Sequence, residues 1–212
     1  MNEVRQSTAS ESMIRLVIAE DQGLLLGALA TLLELEPDLQ VLARASDGPA
    51  ALAALQQHRP EVLLTDIEMP GCSGLDVAEA VRREGLPTRV LIVTTFARPG
   101  YLRRAMEAGV RGYLLKDTPS AELAAAVRRV AAGQKVIAPE LLLQAFDVED
   151  PLNDRERQVL RLAEAGRTAK EIGEALGLAP GTARNYLYEA SQKLGAANRI
   201  EAARIARERG LL

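Results

Sequence analysis

The sequence predicts a parallel α/β domain followed by a smaller all-α domain, and three observations support this. Short apolar or β-branched runs alternate with longer Ala-rich amphipathic ones over residues 14–132, the pattern of repeated βα units. The strand-like runs are almost wholly apolar, as expected of strands covered on both faces. Beyond residue 152 no strand pattern remains, and helix-start chemistry recurs instead.

Strands are predicted over 14–19, 40–45, 62–66, 90–94 and 112–115, with helices near 22–35, 48–58, 73–84, 99–109 and 119–132. Parallel neighbours need crossover connections, which these helices supply. Five such units predict a flavodoxin-like sheet in the order 2-1-3-4-5. Its switch point places ligands beside the ends of strands 1 and 3. Residues 134–151 change character: Ala138, Pro139 and Glu140 open a short helical piece, and Asp147, Glu149 and Asp150 precede Pro151 as an acidic linker. In the tail, Asn153, Thr168 and Asn198 each stand three residues before a glutamate (Glu156, Glu171 and Glu201). That spacing lets a capping side chain and the glutamate satisfy free amides reciprocally. Gly166, Gly177 and Gly195 are the expected stops, and Pro180 suits a first helical position. Four helices with short joints predict a helix-turn-helix domain. The expected organisation is a disordered tail at 1–12, the α/β domain at 13–134, a linker with a short helix at 135–151, and the helical domain at 152–212.

A chain of 212 residues with 48% hydrophobic content has ample material for two cores. No apolar run approaches the ~18 residues of a membrane helix, and the N-terminus lacks signal-peptide character, so a cytoplasmic protein with no membrane insertion is expected. The single cysteine, Cys72, excludes an internal disulfide. With His58 as the only histidine and no nucleotide-binding Gly-rich loop, the chain is not expected to be its own kinase. Residues 1–150 hold 15 Lys/Arg against 21 Asp/Glu, while residues 151–212 hold 11 against 8. Any anionic polymer partner should therefore meet the C-terminal segment.

Asp66 ends the apolar run Val62-Leu63-Leu64-Thr65, where an α/β sheet carries its reactive groups. Glu20 and Asp21 end the first strand, Thr94 the fourth and Lys116 the fifth. Crowded carboxylates repel unless a cation screens them, and Mg²⁺ prefers such hard oxygens. These groups predict an acidic pocket for Mg²⁺ and a phosphoryl group.

The set Glu20-Asp21, Asp66, Thr94 and Lys116, in this order on successive strand ends, resembles the receiver domain of bacterial response regulators. The resemblance implies that Asp66 is phosphorylated by a sensor histidine kinase or a small phosphodonor. It further implies that Asp21, Asp66 and the Glu68 backbone carbonyl bind the metal, with Glu20 acting through water. Lys116 would pair with one phosphoryl oxygen and the Thr94 hydroxyl with another. Tyr113, three residues before Lys116, would turn inward as the switch, and Glu68 and Phe96 would tune the acyl phosphate's lifetime. Any catalysis would be confined to phosphorylation and dephosphorylation of Asp66 itself.

The stretches Leu152 to Leu160, Lys170-Glu171-Ile172, Gly181-Thr182-Ala183-Arg184-Asn185-Tyr186 and Lys193-Leu194-Gly195 resemble the LuxR/NarL-type helix-turn-helix. Its second helix would start near Pro180 and lie in the major groove of an operator. Arg184, Asn185 and Tyr188 share one side of it, opposite Ala183, Leu187, Ala190 and Leu194. Arg grips guanine and Asn adenine, so Arg184 and Asn185 are the expected base readers. Thr168, Lys170, Thr182, Lys193 and Arg199 are expected on phosphates. Tyr186 and Ala183 depart from the His and Val common in the family.

Within that NarL/FixJ family the chain is most similar to the DesR-like subgroup, which implies phosphorylation-driven homodimerisation and control of membrane-lipid genes. The implied dimer face joins the first and fifth receiver helices around Leu25, Leu26, Leu29, Leu123 and Val127. The alternative face lies near strands 4 and 5, over residues 98–109. Two rival functions fit less well. An aspartyl-phosphate phosphohydrolase wants a second Asp where Glu68 stands, and an RNA-binding antiterminator output would lack the Arg184-Asn185 context.

Overall fold

A computed structural model describes residues 13–95, 99–138, 141 and 150–212. The expected disordered tail, the short linker helix and the tuning residue Phe96 lie outside the described residues. Two compact units divide the chain: Met1–Phe96 with Ala105–Ala138, and Ala97–Arg104 with Pro139–Leu212.

In the first unit, strands β1 (Ile14–Ala19), β2 (Leu39–Ala45), β3 (Val62–Thr65), β4 (Arg89–Thr94) and β5 (Gly112–Leu115) alternate with helices α1 (Gly23–Glu34), α2 (Gly48–His58), α3 (Gly74–Arg83), α4 (Pro99–Glu107) and α5 (Ser120–Ala131). α4 straddles the division between the units. Pairing is parallel throughout, in the order β2-β1-β3-β4-β5 expected from the sequence, but a sixth strand, β6 (Val136–Ile137), extends the sheet beyond β5. The five-strand expectation is corrected here. Gly133, at φ 81°, turns the chain out of α5, and the β-branched pair then joins the open edge. Val136 N–H donates to the Arg111 carbonyl at 2.8 Å and Ala138 N–H to the Tyr113 carbonyl at 3.1 Å. Segments assigned to the linker thus begin as sheet.

One core cluster collects Leu16, Ile18, Leu64, Leu91 and Val93 from the sheet with Leu29, Leu33, Leu123 and Val127 from α1 and α5. The residues expected to form the dimer face differ in their burial. Leu29, Leu123 and Val127 are buried core residues, and Leu25 and Leu26 pack against that core. α1 itself, GLLLGALATLLE, is apolar nearly all round and so does not reveal from sequence which side faces the sheet. The outward side carries Leu24 (92% exposed), Leu32 and Leu35 (74% exposed).

Arg128 of α5 staples the α1–β2 turn, its guanidinium meeting Glu36 at 2.5 Å and Asp38 at 2.6 Å. The Arg128 hydrogen bond holds the Asp38 carboxyl below its ordinary range, against the opposing effect of burial. A carboxylate with a depressed folded pKa stabilises fully above its unfolded value, about 3.9. It loses that contribution as pH falls through the folded value. Arg128→Gln should therefore reduce stability at neutral pH by a small amount, about 1 kcal/mol or less for so solvent-screened a pair, read as a lower melting temperature. The gap to wild type should close in acid; an equal gap at both pH values would contradict the assignment.

The second unit holds α6 (Asp154–Glu164), α7 (Ala169–Leu176), α8 (Pro180–Leu194) and α9 (Arg199–Glu208) around a core that includes Leu152, Leu160, Ile172, Leu187 and Leu194. The Asn153/Glu156 and Thr168/Glu171 pairs both form complete reciprocal caps. The third cap differs. Asn198 accepts from Ile200 and Glu201 N–H, while the Glu201 carboxylate reaches past it to Ala197 N–H at 2.8 Å. Gly177 and Gly195 end α7 and α8 at positive φ, and Gly166 follows α6 in the same conformation. Among the described residues no helix is long and apolar enough to cross a membrane.

Candidate functional site

Parallel register brings the C-terminal ends of the strands side by side. Thr65 pairs with both Ala19 and Ile92, and Thr94 with Leu115. Backbone bonds continue past the strands: Glu20 N–H to Ala45, Asp66 N–H to Ala19, and Lys116 N–H to Thr94, each near 3 Å. Glu20, Asp21, Asp66 and Lys116 therefore meet at one place. Lys116 Nζ lies 3.0 Å from Asp66 Oδ2 and 2.8 Å from Glu20 Oε2. Asp66 Oδ1 accepts from Ile67 N–H at 2.7 Å, and the residue is 6% exposed. Glu20 is buried and Asp21 exposed.

Electrostatics follow from this packing. Burial pushes the Asp66 carboxyl above its ordinary range, opposed by the Lys116 hydrogen bond and charge and by Ile67 N–H. Glu20 is pushed up likewise, by burial and by Asp66. Burial disfavours the Lys116 ammonium, but its hydrogen bonds to Glu20 and Asp66 prevail and raise its pKa. The pocket concentrates negative charge that a single lysine only partly offsets.

Glu20, Asp21 and Asp66 each offer a carboxylate oxygen, all within 4.8 Å of one another. Hard oxygens at that spacing fit Mg²⁺, which needs ligands at about 2.1 Å and retains several waters. Because Lys116 already engages Glu20 and Asp66, the exposed Asp21 is the carboxylate freest to take a cation.

Several residues that matter here went unnoticed in the sequence. The buried Thr65 donates its hydroxyl to the Asp66 carbonyl at 2.9 Å. Gly74 packs so closely on Asp66 that an added Cβ would sit 1.9 Å from the Asp66 carbonyl oxygen, and Gly74 N–H donates to Ile67 O at 2.9 Å. The signal was present: Ser73 and Asp76 have capping-box spacing, and the complete box they form starts α3 at this point. Thr94 is buried beside the pocket strands. Tyr113, expected to turn inward on activation, is 0% exposed.

In the second unit, α8 buries Ala183, Leu187, Ala190 and Leu194 and exposes Thr182, Arg184, Asn185 and Tyr188, the last 66% exposed. The division of faces is the one read from sequence. Gly173 permits the tight α7–α8 turn, since a Cβ there would lie 2.6 Å from the Leu178 carbonyl oxygen. Thr168 and Lys170 are exposed and Arg199 is half-buried. Lys193 stands apart from the other expected phosphate contacts. Its ammonium is held by both oxygens of Glu156, at 2.7 and 2.9 Å, and Glu156 is 0% exposed. A buried carboxylate needs such a partner, so the structure gives Lys193 a scaffold role tying α8 to α6.

A parallel sheet with an acid–lysine pocket at its strand ends, joined to a helix-turn-helix unit, defines a regulator with a phosphoacceptor-type input and a DNA-reading output. The chain matches the response regulator receiver domain over residues 16–128 and the bacterial regulatory proteins of the luxR family over residues 150–206. It belongs to this family: it is a response regulator transcription factor of a two-component system. It is 52% identical to YvfU, an uncharacterized transcriptional regulatory protein of Bacillus subtilis (strain 168), over 93% of this chain and 99% of YvfU. It is 47% identical to the transcriptional regulatory protein DesR of the same organism, over 93% of this chain and 98% of DesR. Among solved structures, the receiver domain of the putative response regulator NarL from Mycobacterium tuberculosis aligns with TM-score 0.57 and 37% identity, covering 58% of this chain and 99% of that one. The RcsB–DNA complex aligns with TM-score 0.62 over 93% of this chain and 99% of that one, at 23% identity, a likeness of fold.

Proposed function

We propose that Asp66 is the phosphoacceptor of a cytoplasmic protein, and that its phosphorylation by a sensor histidine kinase drives homodimerisation and operator binding. One observation carries this reading: the Asp66 carboxylate is held between Lys116 and Ile67 N–H, within 4.8 Å of the carboxylates of Glu20 and Asp21. An Asp66 oxygen bonds to phosphorus as the donor's P–N bond breaks, releasing imidazole and leaving an acyl phosphate. Lys116 turns from the lost carboxylate charge to a phosphoryl oxygen, and the Thr94 hydroxyl takes another. Asp21, Asp66 and the Glu68 carbonyl would hold Mg²⁺ directly and Glu20 through water; the ion supplies neutralisation of charge developing on phosphorus.

The proposed dimer face is the outward stripe of α1, Leu24, Leu32 and Leu35, since exposed apolar patches of this kind mark interaction sites. Two paired α8 helices would then read two half-sites, Arg184 on guanine and Asn185 on adenine, with Thr168, Lys170, Thr182 and Arg199 on phosphates and Tyr188 beside the bases. A membrane-lipid regulon is the finer reading that the sequence's resemblance to the DesR-like subgroup implies. The test combines sedimentation with DNA selection, with and without acetyl phosphate and Mg²⁺. A phosphate-dependent dimer that selects a two-half-site sequence supports the reading. A monomer that selects the same sequence whether or not it is phosphorylated would refute it.

A further inference from the structure

The end of the sheet opposite Asp66 carries a group of cations with no structural task. Arg89 opens β4, Arg111 and Lys135 immediately precede β5 and β6, and Arg129 lies in the last turn of α5. Backbone and side-chain contacts gather them around the α5–β6 turn. Arg111 N–H donates to Val90 O at 2.9 Å and its carbonyl accepts from Val136 N–H at 2.8 Å, setting β4, β5 and β6 starts side by side. The Arg89 guanidinium lies against Gly133, its Nε 3.8 Å from where a Cβ would stand. Arg129 Nε donates to Gln134 Oε1 at 3.2 Å.

Among the described residues no carboxylate forms an ion pair with any of these four. Four acids at this end of the sheet are engaged elsewhere: Glu61 by Arg15, Glu36 and Asp38 by Arg128, and Glu84 by Arg83. Arg111, Arg129 and Lys135 are exposed and Arg89 is half-buried. A local cationic surplus is the more telling because residues 1–150 hold 15 basic side chains against 21 acidic ones. Four clustered like charges destabilise slightly, so packing offers no reason for them.

We propose that this edge of the receiver unit contacts the DNA phosphate backbone, adding sequence-independent affinity to the reading done by α8; the proposal rests on the DNA-binding reading of the second unit. Three of the four cations are arginines, whose planar forks match phosphate bidentately. A duplex offers one charge per ~1.7 Å, so several can be met at once. Both units share one chain, so DNA held by one is at high effective concentration for the other. An acidic polypeptide is the competing partner.

The experiment measures binding of the full chain to a random-sequence duplex across a salt series, for wild type, the double variant Arg111→Gln/Lys135→Gln, and Lys170→Gln in the reader. Each lost phosphate contact reduces the slope of log K against log salt by about 0.9. The double variant should therefore lose roughly 1.8 from the slope while keeping its melting temperature, because both side chains are exposed and unpaired. An unchanged slope in the double variant, with Lys170→Gln still reducing it, overturns the proposal and leaves the reader intact. An unchanged slope with lost binding to poly-L-glutamate also overturns it, in favour of the acidic polypeptide. Absence of duplex binding by wild type at every salt concentration would overturn the DNA reading and this proposal together.

Discussion

Leu29→Asp unfolds the receiver unit, whereas Leu24→Asp leaves it folded and weakens self-association. Five residues apart on one helix, these leucines face opposite ways. Leu29 lies in the core cluster with Leu33, Leu64, Leu123 and Val127, and Leu24 is 92% exposed. Removing Leu29 opens a cavity, and the new carboxylate has no cation to meet there, so the cost is roughly 4 kcal/mol or more. That is a large share of the 5–15 kcal/mol that keeps a domain folded. At Leu24 the same change stays within about 0.5 kcal/mol. Circular dichroism melts of both variants, with sedimentation of each after phosphorylation, separate the effects. A folded, phosphate-dependent dimer from Leu24→Asp would rule out the α1 stripe as the dimer face.

Asp66→Asn and Lys116→Ala should both prevent signalling, by different routes. Asn keeps the shape and can still accept from Ile67 N–H, but it is no nucleophile, so phosphoryl uptake falls to zero in a stable protein. Lys116→Ala leaves Glu20 and Asp66 buried with no cation between them, and breaking such a pair costs about 3 kcal/mol. Added Mg²⁺ should restore part of that loss in Lys116→Ala, by screening the same carboxylates, and restore less in Asp66→Asn, which has one fewer of them. Thermal melts over a Mg²⁺ series read this directly. Equal Mg²⁺ effects on the two variants would argue against a shared metal and phosphoryl pocket.

The pocket was legible in the sequence because strand ends carry it. Wholly apolar runs such as Val62-Leu63-Leu64 mark where a buried strand stops, and polar residues placed just there, Glu20, Asp21, Asp66 and Lys116, stand out from it. The reading face of α8 was legible for a similar reason, since its small and apolar residues keep helical spacing opposite Arg184, Asn185 and Tyr188. What escaped depends on contacts between distant segments. β6 is two residues long and exists only because β5 leaves an edge open. The outward side of α1 is hidden by a helix that is leucine-rich on every side. Lys193 looks like any surface lysine until Glu156 is found buried 37 positions away in sequence. Gly74 owes its importance to the Asp66 carbonyl beneath it.

The most direct test of the central claim is the intact mass of the purified protein after acetyl phosphate, with Mg²⁺ or with EDTA, beside Asp66→Asn. The account predicts a gain of one phosphoryl group in wild type with Mg²⁺, little gain in EDTA, and none in the variant. A phosphoryl group on folded Asp66→Asn would contradict the assignment of Asp66 as the acceptor.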